Sequence, residues 1–473
     1  VSAEFNAKHN AMAQTGLKAP AGAILHPEES RSNALREQIA ALEPQCQRTY
    51  TPSMAVLHRS AGCYHYTPEG RKLADFTSGV LVANLGHNPT RWWKRVLAYM
   101  GLENLDGTVD FCPAVTLTAY NAVTELEVRA TRRLLSNMQA QPGGQRMQQV
   151  LWAASGSEAI QKALWASLAR REGADIMLAT RAGFHGKKGL AGAVTGDEHD
   201  SDRDPRVRFV GFPMNECRSL LRRCQPLDLD PYRRELDALA DEYGSRLCCL
   251  ITEPYLGGGG SYHPQKEYMQ LLQDFCRAHD MIFILDEVQS NFGRTGTMYA
   301  YTAYGIEPDI VVLGKGMANG VPVDAAAGRA DVFAALGYGA GSDTWSAHPL
   351  GCAAVLATLD EFEQHDVLGH AARLAEVVEA GLVRLTGLDA VAAVRGEGTV
   401  WGVECAPVGS FSAEQMANRM VETCYLGDAS GRAVHLLGPL AGKVIRVAPP
   451  LIMPLDEARD YLDAMVAMVA DVS

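Results

Sequence analysis

The chain has 473 residues, of which 47% are hydrophobic and 21% charged, with a net charge of −12 at pH 7. That length implies two or three domains, or one large α/β domain with a smaller companion. The acidic balance without any strongly basic stretch excludes an ordinary nucleic-acid binder, and no apolar run approaches the length of a membrane span.

Residues 1 to about 48 are polar and Ala-rich, with helical stretches and no readable chemistry. Between Thr51 and His87 the pattern turns to short strand-like segments broken by glycine, as in "GCYHYTPEGRKLADFTSGVLVANLGH". From about Arg91 to Val378, amphipathic helical stretches alternate with the short apolar runs "VLWAAS", "IMLAT", "VRFVGF", "CCLITEP", "MIFILDE" and "DIVVLGKG". This alternation predicts an α/β fold with a mostly parallel sheet covered by helices on both faces. The remainder, with "VAAVRGEGTVWGVEC" and "KVIRVAPPLIM", predicts a smaller α+β unit. The expected division is 1–95 as an N-terminal segment joining the small domain, 96–364 as the large domain and 365–473 as the C-terminal small domain.

Ligands of open parallel sheets sit beyond the carboxyl ends of the strands. The polar residues at those ends are Ser155, Gly156 and Ser157, then Glu253, Asp286 to Gln289, and Lys315. In "ASGSEAIQKALWASLARR", Ser155 and Glu158 have capping-box spacing, so the first-turn N–H groups of Gly156 and Ser157 are expected to face an anion or simply to start a well-capped helix. "AGFHG" places Phe184 and His185 after another strand; Phe184 suits stacking on a flat ring or a place in the core. "GGGG" at 257–260 is expected to be flexible backbone in a turn beside the crevice.

Asp286 closes the strongest strand of the chain. A carboxylate there suits a protonated ring nitrogen, the alternatives being a metal or a structural ion pair. Lys315, between two glycines at a strand end, suits a desolvated amine that forms Schiff bases and moves protons. "LGKGMANG" does not match a phosphate loop, and "GEGTVWG" and "GKGMANG" miss the dinucleotide fingerprint by one residue. The eleven cysteines include no CxxC and the histidines no HExxH, so no metal site is expected. Reduced, mostly buried thiols fit a cytoplasmic protein, and "VSAEFNAKHNAMAQTGLKAP" holds no signal-type apolar segment.

An anion-binding helix start, a strand-end aspartate and a later strand-end lysine together resemble pyridoxal-phosphate enzymes of fold type I. The segments "SGSEA", "FHG", "LDEVQSNFGRTG", "PDIVVLGKGMANG" and "TWSAHPLGCAAVLATL" resemble the class III aminotransferases, the group of 4-aminobutyrate, ornithine and amine–pyruvate transaminases. The resemblance runs from about Thr51 to Met453. It implies pyridoxal 5′-phosphate as cofactor, with Lys315 holding the aldehyde, Asp286 the pyridine nitrogen, Val288 under the ring and Gln289 near the 3-hydroxyl. It also implies Gly156 and Ser157 at the phosphate, Phe184 stacking with His185 beside it, and Thr344 reaching the phosphate of a partner subunit in a homodimer.

The implied reaction is transamination from an amine or amino acid to a 2-oxo acid with ping-pong kinetics. Racemases and aminomutases of the same fold are the alternative, and a non-catalytic binding protein a more distant one. Arg446 in "RVAPP" is implied to hold a substrate carboxylate, with Val80 and Leu81 shaping the pocket. Two departures from the family pattern bear on the acceptor. Gly258 stands where oxoglutarate-using branches have a gating glutamate, and His348 stands where the family usually has asparagine. Oxoglutarate is therefore in doubt as the acceptor.

Overall fold

The computed structural model describes residues 23–105, 107, 110–199 and 204–473; the expectations for residues 1–22 lie outside the described residues. Three short strands open the chain: β1 (Arg59–Ala61), β2 (Tyr64–Tyr66) and β3 (Lys72–Asp75). The middle of the chain supplies β4 (Gln149–Ala153), β5 (Ile176–Thr180), β6 (Val207–Val210), β7 (Leu247–Thr252), β8 (Ile282–Asp286), β9 (Ile310–Leu313) and β10 (Asp324–Gly328). The last part adds β11 (Val391–Glu397), β12 (Val400–Cys405), β13 (Ala433–His435) and β14 (Val444–Val447).

The middle strands form one seven-stranded sheet in the order β4-β10-β9-β8-β7-β5-β6. Its two faces are both buried, which explains the unbroken apolar runs. Phe283 and Leu285 of β8 enter one core while Ile282 and Ile284 enter the other. Side chains two apart share a face, so a strand covered on both sides must be apolar throughout. The helix Gly156–Arg170 covers one face through Ile160, Ala163 and Leu164; the helix Pro349–Gln364 covers the other through Val355, Leu356 and Leu359.

One strand of this sheet departs from the sequence reading. β10, "DAAAG", runs antiparallel to both β4 and β9. Its alanines carry no β-branched or aromatic signal, and only the space between β4 and β9 makes it a strand. Being reversed, it begins where its neighbours end, with Asp324 opposite Ala153. Its first residue thus joins the ligand edge.

The remaining strands make two smaller sheets, β1-β2-β3-β13 and β11-β12-β14. The first pairs β3 in parallel with β13, so the early strands and the late chain share one sheet. Ala74 and Phe76 also share a core with Leu374, Trp401, Met420 and Leu462. No helix among the described residues is long and apolar enough to cross a membrane.

Candidate active site

At the end of β8 two adjacent carboxylates diverge. Asp286 is buried; its Oδ2 lies 2.7 Å from His185 Nδ1 and its Oδ1 accepts from the Val288 N–H at 3.0 Å. With the carboxylate ionised, the ring Nδ1–H donates, which fixes the tautomer and orients both groups. Glu287 points away and caps the short helix Ala300–Tyr304, accepting from the N–H groups of Ala300 (2.7 Å) and Tyr301 (2.8 Å). Burial pushes its pKa up to about 7 against these hydrogen bonds. Asp286 thus meets His185, whereas Glu287 holds the start of the 300–304 helix.

Lys315 follows β9 and Gly314 in a left-handed conformation, φ 47°, at the start of a 3-10 turn. Burial lowers its pKa from the ordinary ammonium value; Asp286 opposes this, Arg446 reinforces it, and Asp324 and Glu253 oppose it again. No hydrogen bond or ion pair among the described residues engages its amine. The flanking glycines are there for close approach. A Cβ on Gly314 would collide with the Asp324 carboxylate, and one on Gly316 with the Asn84 amide.

Ser155 does cap the helix, its Oγ accepting from Glu158 N at 3.4 Å. The expected reciprocal bond is displaced by one residue, because Glu158 Oε2 takes the Ala154 N–H at 2.9 Å. The N–H groups of Gly156 and Ser157 have no acceptor within the helix, so they and the helix dipole suit an anion. A Cβ on Gly156 would lie 3.3 and 3.4 Å from the two Val288 methyl groups, and one on Gly186 would collide with Ser157 Oγ. Gly156, Ser157, Val288, Gly314 and the 184–186 turn therefore form one continuous wall.

The end of β7 adjoins the 184–186 turn. Glu253 accepts from the N–H groups of Phe184 (2.8 Å) and Gly257 (3.0 Å). Burial pushes its pKa up to about 7, with His185 pulling it back and Asp286 adding to the rise. Phe184 is half-buried rather than part of a closed core. The glycines at 257–260 form a turn, as expected, and three of them are closely packed. A Cβ on Gly257 would collide with Gln289, one on Gly258 would sit 2.8 Å from Phe184 Cβ, and one on Gly259 2.9 Å from Ala182 O. Their missing side chains make room for neighbours.

Arg446, on β14, is 4% exposed and donates from Nη2 to the Gly257 carbonyl at 2.6 Å. Its Nε has no partner. Burial lowers its pKa, while Tyr255 and Glu253 oppose the shift. Gln289 lies 3.5 Å from the hydroxyl of Tyr255, whose ring stacks on His263 at 4.4 Å.

Three further expected residues are placed as follows. Leu81 is packed with Tyr255, Val400 and Ala448, so any effect on a pocket would pass through Tyr255. Val80, at φ 69°, is 40% exposed, and Thr344 is exposed beside Asp343, which Lys162 holds at 2.6 Å. One residue escaped the sequence reading altogether. Asp324 sits against Gly314 and 3.6 Å from a Cβ placed on Gly156. Its signal was a lone charge inside the apolar run "VPVDAAAG".

Burial pushes the Asp324 pKa from 3.8 up to about 7; Lys315 opposes this, and Asp286 and Glu158 add to the rise. The folded cofactor-free protein then holds this proton more tightly than the unfolded chain does. The corresponding stability is fully present below the unfolded pKa of 3.8 and is lost as the pH rises through about 7. The slope contributed is up to roughly 1.4 kcal/mol per pH unit. Asp324→Asn should remove that slope, leaving the contributions of Glu253 and Glu287. Urea midpoints of both proteins between about pH 4 and pH 8 measure the difference. Parallel curves would show that Asp324 does not titrate in this window.

The family profile described as "Aminotransferase class-III" matches residues 45–469. Similar curated proteins include an omega-aminotransferase of Caulobacter vibrioides, 30% identical over 443 residues, covering 88% of this chain and 93% of the relative. An acetylornithine aminotransferase of Methanothermobacter thermautotrophicus is 28% identical over 439 residues, covering 92% and 99%. Among solved structures, a PLP-bound amine transaminase from an uncultivated Pseudomonas species superposes with a TM-score of 0.76 at 25% identity, covering 98% of this chain and 100% of that one. With its lysine and aspartate at neighbouring strand ends of a mostly parallel sheet, this chain belongs to the class III aminotransferases, pyridoxal-phosphate enzymes that move an amino group from an amine or amino acid to a 2-oxo acid.

Proposed function

We propose that Lys315 and Asp286 do the chemistry of this aminotransferase, and that Arg446 binds the carboxylate of a small 2-oxo acid, pyruvate serving at least as well as oxoglutarate. The residues fit pyridoxal phosphate: glycines at 156 and 314 leave a cradle, Lys315 offers an unengaged amine, and Asp286 offers a buried carboxylate. Bound there, the cofactor would supply the electron sink for charge developing at the substrate carbon.

The chain's own residues do the rest. Asp286, oriented by His185, would face the ring nitrogen of a bound cofactor, and Val288 and Phe184 would hold its ring. The N–H groups of Gly156 and Ser157 would hold its phosphate, and Gln289 would serve its ring hydroxyl. The depressed pKa of Lys315 favours a neutral amine, able to take a proton from the substrate carbon and return it. Amino donor and oxo acid use the site in turn, in a ping-pong sequence.

Arg446 is the observation on which the acceptor reading rests. Its buried guanidinium has a free Nε, and Gly258 packs too closely on Phe184 to accept a carboxylate side chain without rearrangement. A guanidinium fork binds a substrate carboxylate in bidentate fashion. Arg446→Ala should lower kcat/KM for pyruvate and oxoglutarate by about 10- to 100-fold, and change it little for an uncharged aldehyde. Parallel kinetics on the three acceptors measure this. An equal loss on all three, or a large preference for oxoglutarate in the unmutated enzyme, would refute the reading.

The exposed Thr344, beside a Trp345 that is 53% exposed, supports a homodimer in which each chain completes its partner's site. Boundaries near residues 95 and 364 are proposed for the domains, and the eleven unpaired cysteines suit a reducing, cytoplasmic setting.

A further inference from the structure

Four polar side chains meet in the sheet β1-β2-β3-β13, where sequence alternation would place apolar groups. His65 is the inward residue of β2, Asp75 ends β3 and His435 ends β13 directly beside it in register. His87 arrives from the loop after Leu81, whose backbone bridges Gly62. His65, Asp75 and His435 are 3%, 0% and 8% exposed, while His87 is half-buried. The ligand atoms of His65, Asp75 and His87 all lie within 4.8 Å of one another. The His435 ring meets that of His65 edge-on at 5.3 Å.

The hydrogen bonding leaves this cluster incomplete. His87 Nε2 lies 2.7 Å from Asp75 Oδ2, but His65 Nε2, at 3.7 Å from the same oxygen, is buried without a hydrogen-bond partner. His435 Nδ1 is also buried and unpartnered. An unmet buried polar group is destabilising, and His65 Nε2 is one that lies beside this carboxylate. The supporting contacts have the form that metal sites use. His65 Nδ1 is 2.7 Å from Ser60 Oγ, which leaves Nε2 as the free ring nitrogen when Nδ1–H donates. Asp75 Oδ1 is fixed by the N–H (2.8 Å) and hydroxyl (2.6 Å) of Thr77.

We propose that His65, Asp75 and His87, with His435 beside them, form a binding site for one divalent transition-metal ion of the zinc type, separate from the cofactor pocket. Imidazole and carboxylate ligands select such an ion over calcium or magnesium. Tetrahedral zinc with bonds of about 2.0–2.1 Å sets ligand atoms roughly 3.3 Å apart, between the 2.7 and 3.7 Å observed here. The three ligand atoms, all within 4.8 Å of one another, would draw together onto the ion. The ion would clamp the start of the 78–81 turn, where Ser78, Gly79, Val80 and Leu81 all take positive φ. No spacing motif announces the site because its ligands come from strands far apart in sequence.

The test uses the full-length, cofactor-loaded enzyme, stripped with chelator and freed of unbound cofactor. Calorimetric titration with Zn2+ should show one saturable site per chain and a raised Tm. Co2+ should give visible bands of nitrogen–oxygen ligation without a thiolate charge-transfer band. Ser60→Ala, a mild change, should weaken Zn2+ binding by about 10-fold, and His65→Leu by more than about 100-fold. Absence of saturable binding, a thiolate band, or unchanged affinity in Ser60→Ala and His65→Leu would overturn the proposal. The wild-type titration and spectrum decide the matter even if His65→Leu fails to fold.

Discussion

Lys315→Ala is expected to abolish turnover, by more than about 10^4-fold, while leaving the chain folded. The lysine is asked to hold the cofactor and to move a proton, and covalent and acid–base roles lost together account for an effect of that size. The fold should survive for a physical reason. The substitution removes a largely desolvated amine that has no hydrogen-bonded partner among the described residues, and alanine at φ 47° is no more strained than lysine. Cofactor binding should persist at lower affinity through Gly156, Ser157 and Asp286, with loss of the long-wavelength absorbance of the lysine-bound form. Steady-state rates and absorbance spectra on one preparation measure both. Wild-type turnover with an unchanged spectrum would remove Lys315 from the chemistry.

Asp286→Asn should slow each half-reaction by about 10²–10³-fold, the cost of removing one aimed electrostatic group from a water-poor site. This variant separates charge from positioning. The amide oxygen of asparagine can still accept from His185 Nδ1–H, now 2.7 Å from the carboxylate, so the ring should keep its place. What disappears is the negative charge that favours a protonated ring nitrogen. Single-turnover rates with amine and then with oxo acid report the loss, and an unchanged Tm reports the retained scaffold. Equal rates in the variant would make Asp286 a structural partner of His185.

The strand ends were legible because β8 and β9 are apolar on both faces and then stop abruptly at Asp286 and at Gly314–Lys315. Alternation rules cannot miss such an edge. The division of labour between Asp286 and Glu287 was not legible, since it depends on a short helix at 300–304 that Glu287 caps. Asp324 escaped because an antiparallel strand of alanines has little intrinsic strand signal and because its direction decides which end meets the ligand edge. Glycines 257–260 form the turn that the sequence suggests, but the close approach of Gln289, Phe184 and Ala182 to Gly257, Gly258 and Gly259 was not legible. Leu81 looked available to a substrate until folding placed it against Tyr255. Local pattern shows where chemistry can sit; which neighbour each group meets is decided by long-range packing.

The cofactor is expected to be attached at Lys315, at the edge where β4, β5, β7, β8 and β9 end. Borohydride treatment of the loaded enzyme, followed by proteolysis and peptide mass mapping, tests it most directly. A single pyridoxyl modification is expected, on Lys315 in the peptide spanning "VVLGKGMANG", and none after prior conversion of the enzyme by an amino donor. A stable modification on any other lysine, with Lys315 recovered unmodified, would contradict it.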